Sequence, residues 1–212
     1  MRLNHFDRKQ LPVVGLLVGA LLTAPASWSY AGQKQSAPTA VTSDLSKIHI
    51  DNFGEVSPTY FRGSQPEGRD YADLAKLGVK TLINLTSDDA DATEEAMAKQ
   101  AGMSYLQIPM TTRIAPTPAE IATFLKVVSD PQNQPVYVHC VGGRHRTGVM
   151  TAIYRMTVDK WTADQAFNEM KQYKYGATFL HPEFKAFVFD YPAMLARSAA
   201  TANAGSDTSK QH

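Results

Sequence analysis

The stretch 134–158 constrains this chain more than any other. Gln134-Pro135-Val136-Tyr137-Val138-His139 is a short apolar run of the kind that forms a buried strand. From Thr147 onward the spacing is helical. Between them lie Cys140-Val141-Gly142-Gly143-Arg144-His145-Arg146, too short to be anything but a tight strand-to-helix loop. A strand that feeds a helix in this way is half of a crossover unit, and such units build parallel sheets. The rest of the domain repeats the alternation. Short strands are expected at 47–50 and 59–62, then a helix at 70–77 ended by Gly78, a buried strand at 80–85, a helix at 91–101 stopped by Gly102, and a strand at 104–108. Thr117 with Glu120 three residues on, and Pro118 in the first turn, predicts a capped helix to about 129. Helices at 147–158, 162–173 and 181–195 complete the reading. The expected fold is α/β: a single domain with a central, mostly parallel sheet flanked by helices. Ligands of such sheets bind beyond the carboxyl ends of the strands, where Cys140 lies.

The ends of the chain read differently. Arg2, Arg8 and Lys9 precede an apolar run at 11–22, which is shorter than the roughly 20 residues of a membrane span. Small residues follow in Ala24-Pro25-Ala26 and Ser29-Tyr30-Ala31. Residues 1–31 are expected to be a signal peptide cut after Ala31, with an uncleaved N-terminal anchor as the alternative. No cysteine stands near the cut to carry a lipid. The polar segment 32–44 reads as a linker, 45–196 as the domain, and the Ala/Ser/Thr/Asn-rich end at 197–212 as a disordered tail. The protein is expected to be exported, periplasmic or secreted, with no membrane span once the signal is removed.

Charge excludes some functions. The 212 residues hold 21 Lys and Arg against 20 Asp and Glu, a net +1. No bulk field favours nucleic acid, so attraction for an anion must come from a local cluster. One cysteine permits no intramolecular disulfide, and a lone cysteine is ordinarily a small buried hydrophobe. The described spacings contain no metal-ligating group of His, Cys and Asp, so neither a metal nor another cofactor is expected.

Its position gives Cys140 another use. Backbone N–H groups of the loop and the positive end of the following helix make an anion cradle. Gly142 and Gly143 allow tight curvature. Arg146 can grip two phosphate oxygens through its planar fork. Helix N-termini and nearby cations favour a thiolate at Cys140, which can attack phosphorus to form a phosphocysteine. Thr147 can donate to the sulfur, and His139 is read as holding the loop through hydrogen bonds. With Val141, Arg144 and His145, these loop residues are the expected substrate-binding set.

His139-Cys140-x-x-Gly143-x-x-Arg146-Thr147-Gly148 resembles the signature of protein tyrosine and dual-specificity phosphatases. Tyr60-Phe61-Arg62-Gly63-Ser64-Gln65-Pro66 is similar to the opening motif of the atypical dual-specificity phosphatases of fungi and plants, as are Trp161-Thr162 and Phe167-Asn168-Glu169-Met170. The likeness covers about 48–192. It implies a dual-specificity-phosphatase-like fold and hydrolysis of phosphorylated proteins or inositol phosphates. The export segment departs from that group and suggests a bacterial exported member.

Relatives of this kind usually protonate the leaving oxygen with an Asp in a loop before the cysteine. Here the loop 109–118 holds no carboxylate. Asp88, Asp89 and Asp91 follow a strand and are the candidates for the acid, Asp88 and Asp89 foremost; all three could instead cap the next helix. Arg62 is expected in a structural ion pair or approaching the site, Arg113 at the pocket mouth or in solvent, His181 as a cap or surface residue, and Trp161, Tyr173, Tyr175 and Phe179 in packing. The missing acid leaves a non-catalytic phosphate-binding pseudophosphatase as one alternative. A rhodanese-like sulfurtransferase is another, which His139 and Arg146-Thr147-Gly148 fit less well.

Overall fold

The computed structural model describes residues 45–208 except 88 and 179. The expected signal peptide and linker, Asp88, Phe179 and residues 209–212 lie outside the described residues. The elements run β1 (Gly54–Ser57), β2 (Tyr60–Ser64), α1 (Asp70–Lys76), β3 (Thr81–Asn84), α2 (Glu94–Gln100), β4 (Ser104–Gln107), α3 (Pro118–Ser129), β5 (Val136–Cys140), α4 (Arg146–Thr157), α5 (Ala163–Gln172) and α6 (Pro182–Thr208).

Local chemistry accounts for most boundaries. Gly78 and Gly102 take positive φ (94° and 86°) just beyond α1 and α2, the left-handed geometry that ends a helix. Thr117 and Thr162 both close capping boxes, with Glu120 and Gln165. The expected strand at 47–50 is not formed. Its start is a 3-10 turn at Leu45–Lys47, and Ile48 and Ile50 pack their side chains into the core instead of joining a ladder. The strand lies further on, at β1, after a turn in which Asn52 adopts a left-handed φ of 57°. At the other end, α6 continues to Thr208, past the expected limit of the domain at 196. Alanine is the strongest helix former, and it recurs through this stretch.

The sheet order is β1-β2-β5-β3-β4. β2, β5, β3 and β4 pair in parallel, and β1 closes one edge antiparallel to β2. The central strand β5 is buried along its whole length, as expected of a strand covered on both faces. Tyr60, Val136, Val138 and Cys140 face a core shared with α3, α4, α5 and α6, whereas Phe61, Leu82 and Tyr137 face a second core beneath α1 and α2. Ten of the twelve residues of α4 are buried, because it is sandwiched between the sheet and the other helices. This fixes the start of α4 against the end of β5, where the loop turns.

Candidate active site

Cys140 is the last residue of β5 and is buried. The loop 141–145 then reaches Arg146, the first residue of α4. Gly143 makes the turn possible. Its φ is +63°, and a Cβ there would stand 2.4 Å from the backbone C and O of Gly63. Gly142 has no such constraint: a Cβ would meet only the Arg144 side chain, at 3.5 Å. Of the two glycines expected to permit the curvature, only Gly143 is required by the backbone.

The Gly143 carbonyl is held from outside. It accepts hydrogen bonds from Arg62 Nη2 (2.7 Å) and Asn52 Nδ2 (2.8 Å), and Asn52 Nδ2 also donates to Tyr173 O (2.9 Å). In a trans peptide the N–H of the next residue points opposite to the carbonyl. Fixing this carbonyl outward therefore turns the Arg144 N–H the other way. The backbone of Gln65 donates to Val141 O (3.2 Å), which ties the loop's first turn to the end of β2.

Arg146 is buried, and its fork is engaged. Nη1 and Nη2 each donate to one oxygen of Asp89, both at 2.7 Å, and Nη1 also donates to Met110 O at 3.1 Å. This hydrogen-bonded guanidinium holds the Asp89 carboxyl below its ordinary range, against the opposing effect of partial burial. For Arg146, burial works to lower the pKa, but its bond to Asp89 and the nearby sulfur of Cys140 prevail and raise it. Among the described residues, Arg146 Nε and Thr147 Oγ1 are buried donors with no hydrogen-bond partner, so both can serve an anion or the sulfur.

The other expected loop residues divide into two groups. Val141 is exposed on the surface of the loop. Arg144 is half exposed, 3.7 Å from Asp51, which Lys174 also contacts at 2.5 Å. His139 and His145 are engaged by other parts of the protein. His139 is fully buried on the sheet face opposite Cys140, stacked on Tyr137, with Nε2 3.0 Å from Glu94 Oε1 but off the hydrogen-bonding direction. Glu94 is itself buried and accepts from Asn84 Nδ2 and from Tyr105 Oη (3.3 Å). His139 thus anchors β5 and does not line the pocket. His145 shares a hydrogen bond with Tyr175 O (2.9 Å), and its ring lies 3.8 Å from that of His181. Burial first, then His181, lower its pKa. His181 in turn contacts Thr112 O at 2.9 Å, so this pair of rings joins the loop to the segments before α3 and α6.

Of the candidate acids, Asp89 stands in the site and Asp91 does not. Asp91 accepts from the backbone and hydroxyl of Thr93, both at 2.8 Å, and stabilises the turn into α2. Arg113 is exposed in the loop before α3. Trp161 stacks beneath Arg155, which is paired with Glu169. Asn52, which holds the Gly143 carbonyl, was not legible as part of the site, nor Glu94 as the neighbour of His139. Asn52-Phe53-Gly54 is a turn-prone stretch, and no local pattern says which loop a turn will touch.

A family model described as DSP-PTPase phosphatase fused to NAD+ kinase matches residues 40–185. The dual specificity protein phosphatase TpbA of Pseudomonas aeruginosa is 30% identical over 174 residues, covering 80% of this chain and 76% of that protein. The inositol diphosphatase DSP4 of Arabidopsis thaliana is 28% identical over 155 residues, covering 68% and 78%. Among solved structures, that of P. aeruginosa TpbA superposes with a TM-score of 0.56 at 29% identity, covering 65% of this chain and 83% of that one. The catalytic core of SIW14 from Saccharomyces cerevisiae shares the fold, with a TM-score of 0.60 at 23% identity over 73% of this chain and 94% of that one. The buried cysteine at a strand end, the arginine fork at the following helix and this kinship agree: the chain belongs to the DSP-PTPase family and is a cysteine-based phosphoric monoester hydrolase.

Proposed function

We propose that Cys140 forms the phosphocysteine, that Arg146 clamps the phosphoryl group, and that Asp89 protonates the leaving oxygen. The observation that carries this is the seat of Asp89 on Arg146. Its two carboxylate oxygens occupy both guanidinium nitrogens in the way two phosphoryl oxygens can. A substrate phosphate that takes Arg146 displaces Asp89 and leaves it beside a dianion without its cation. Both changes raise its pKa, so the proton it lacks in the free protein becomes favourable in the complex. The Cys140 thiolate then attacks phosphorus, the P–O bond to the leaving group breaks, and that oxygen takes the proton of Asp89. Asp89, now a carboxylate, accepts a proton from water as the water attacks phosphocysteine, releasing phosphate and the thiolate. Thr147 Oγ1 supplies a hydrogen bond to the departing sulfur.

The substrate class is phosphotyrosine or dual-specificity phosphoprotein. TpbA has been crystallised as a Cys-to-Ser variant in complex with phosphotyrosine. In this chain Val141 and Ile114, 48% and 64% exposed, offer apolar surface on the loops that hold Cys140 and Met110, suited to an aryl group. A second reading, inositol phosphates, draws support from the two cations Arg144 and Lys174 at the rim, which share the single carboxylate Asp51. The protein acts outside the cytoplasm if residues 1–31 direct export; intact mass of protein from a periplasmic fraction, beginning at Gly32, tests that proposal. For the chemistry, a panel of phosphopeptides and inositol phosphates is run beside p-nitrophenyl phosphate and the Cys140→Ser variant. Cys140→Ser should turn over none of them yet still bind inorganic phosphate. Residual turnover in that variant would exclude the phosphocysteine.

A further inference from the structure

Register places Arg62 of β2 beside Val138 of β5, and Ser64 beside Cys140. Tyr60, Arg62 and Ser64 alternate onto the sheet face that carries Val136, Val138 and Cys140. Arg62 is 0% exposed. Its Nη2 donates to Gly143 O at 2.7 Å, and its guanidinium lies 4.0 Å from the centre of the Tyr173 ring. Nε and Nη1 have no hydrogen-bond partner among the described residues. The sequence suggested an ion pair for this residue, but among the described residues its contacts are a carbonyl and an aromatic face, not a carboxylate. Arginine does not shed its proton in proteins, so the charge persists in the interior and strongly favours an anion nearby.

We infer that Arg62 is a positioning and charge-compensating residue of the phosphatase reaction, which fixes the Gly143 carbonyl outward and favours the thiolate of Cys140 and the bound phosphate. The inference rests on the proposed role of Cys140. Burial lowers the pKa of Arg62, and the Cys140 sulfur is among the groups that oppose this. Arg62 stands two residues before Ser64, the register partner of Cys140, on the same sheet face, so its buried charge lies on the sulfur's side of the sheet. Several other charged or titratable groups belong to the loops and elements that adjoin this pair. Arg146 comes from α4, Arg144 and His145 from the loop, and Asp89 from the segment after β3. Tyr60 lies on β2 itself, Tyr173 follows α5, and Glu169 on α5 is engaged by Arg155. Among the described residues Arg62 has no carboxylate in contact with it, whereas Arg146 is held by Asp89.

Cys140 is the sole cysteine of the chain, so alkylation by iodoacetamide reports on it alone. The rate of inactivation is measured against pH in the full chain, with kcat/KM on p-nitrophenyl phosphate alongside. Arg62→Met should move the alkylation midpoint upward by on the order of one pH unit or more, the usual effect of removing a neighbouring opposite charge. Arg62→Gln provides the same test in a polar side chain if the Met variant does not fold. Asn52→Ala, which releases the same carbonyl without removing charge, should lower kcat and leave the midpoint in place. Unshifted midpoints in both Arg62 variants would overturn the inference even if activity fell. If alkylation of the unsubstituted protein left its phosphatase activity intact, the role of Cys140 would fail first, and that of Arg62 with it.

Discussion

Asp89 occupies Arg146 with both carboxylate oxygens, each 2.7 Å from a guanidinium nitrogen, although 57 residues separate the two in the chain. The arrangement makes one side chain both a competitor of substrate and, on the mechanism proposed, its proton donor. It also supplies the carboxylate that the loop before α3 lacks. Because Asp89 follows β3 and Arg146 follows β5, the neighbouring parallel strands bring the two loops together at one end of the sheet.

Asp89→Asn separates these two roles. Loss of the competing charge should tighten binding of inorganic phosphate, read by calorimetry. Turnover of alkyl phosphates should fall by roughly 10²–10⁴-fold, the usual worth of general acid catalysis. p-Nitrophenyl phosphate, whose leaving group is weakly basic, should suffer far less. Equal small losses on both substrates would reduce Asp89 to a structural partner of Arg146.

The same pair makes a pH-dependent contribution to stability. The folded pKa of Asp89 is depressed, so the contribution is present above the unfolded carboxylate value of about 3.9 and is lost as pH falls through the folded value. Its size is modest because the Asp89 side chain is 41% exposed. Thermal melts should therefore show Asp89→Asn slightly less stable than the unsubstituted protein at neutral pH, with the difference vanishing in acid. A difference that persists at the acid end would assign the effect to something other than ionisation.

Arg146→Lys keeps the charge and loses the fork. A point charge cannot hold two equatorial oxygens of the transition state, so kcat/KM should drop by about 10²–10³-fold, the scale seen when a single transition-state donor is removed. Steady-state kinetics on p-nitrophenyl phosphate measures this, and near-normal kcat/KM would show that fork geometry is unimportant.

Alanine at the two loop glycines should behave unequally. Gly143→Ala forces a Cβ within 2.4 Å of the Gly63 backbone at a φ of +63°, and should cost about 1–3 kcal/mol of stability together with most of the activity. Gly142→Ala meets only a flexible arginine side chain at 3.5 Å and should be tolerated. Denaturant melts of the two variants decide the matter; similar losses would mean that the Gly143 turn relaxes freely.

What the sequence determined by itself was local. The apolar run before Cys140, the loop after it and the helix read from Thr147, one residue past its observed start, follow from periodicity and glycine placement over a few neighbouring residues. So does the capping box at Thr117, whose partner Glu120 lies three residues away. Tertiary structure alone decided which distant groups meet the loop. Periodicity marks Arg62 as part of a strand but cannot say that β2 lies beside β5, with the guanidinium under Gly143 81 residues away. It cannot tell that Asn52, in a turn, reaches the same carbonyl across 91 residues, or that His139 faces Glu94 while its neighbour Cys140 faces the catalytic side. The order β2-β5-β3 settles these contacts, because it sets the β2 and β3 ends on either side of the cysteine strand. That order arises from the packing of whole helices and strands, which no short window of residues encodes.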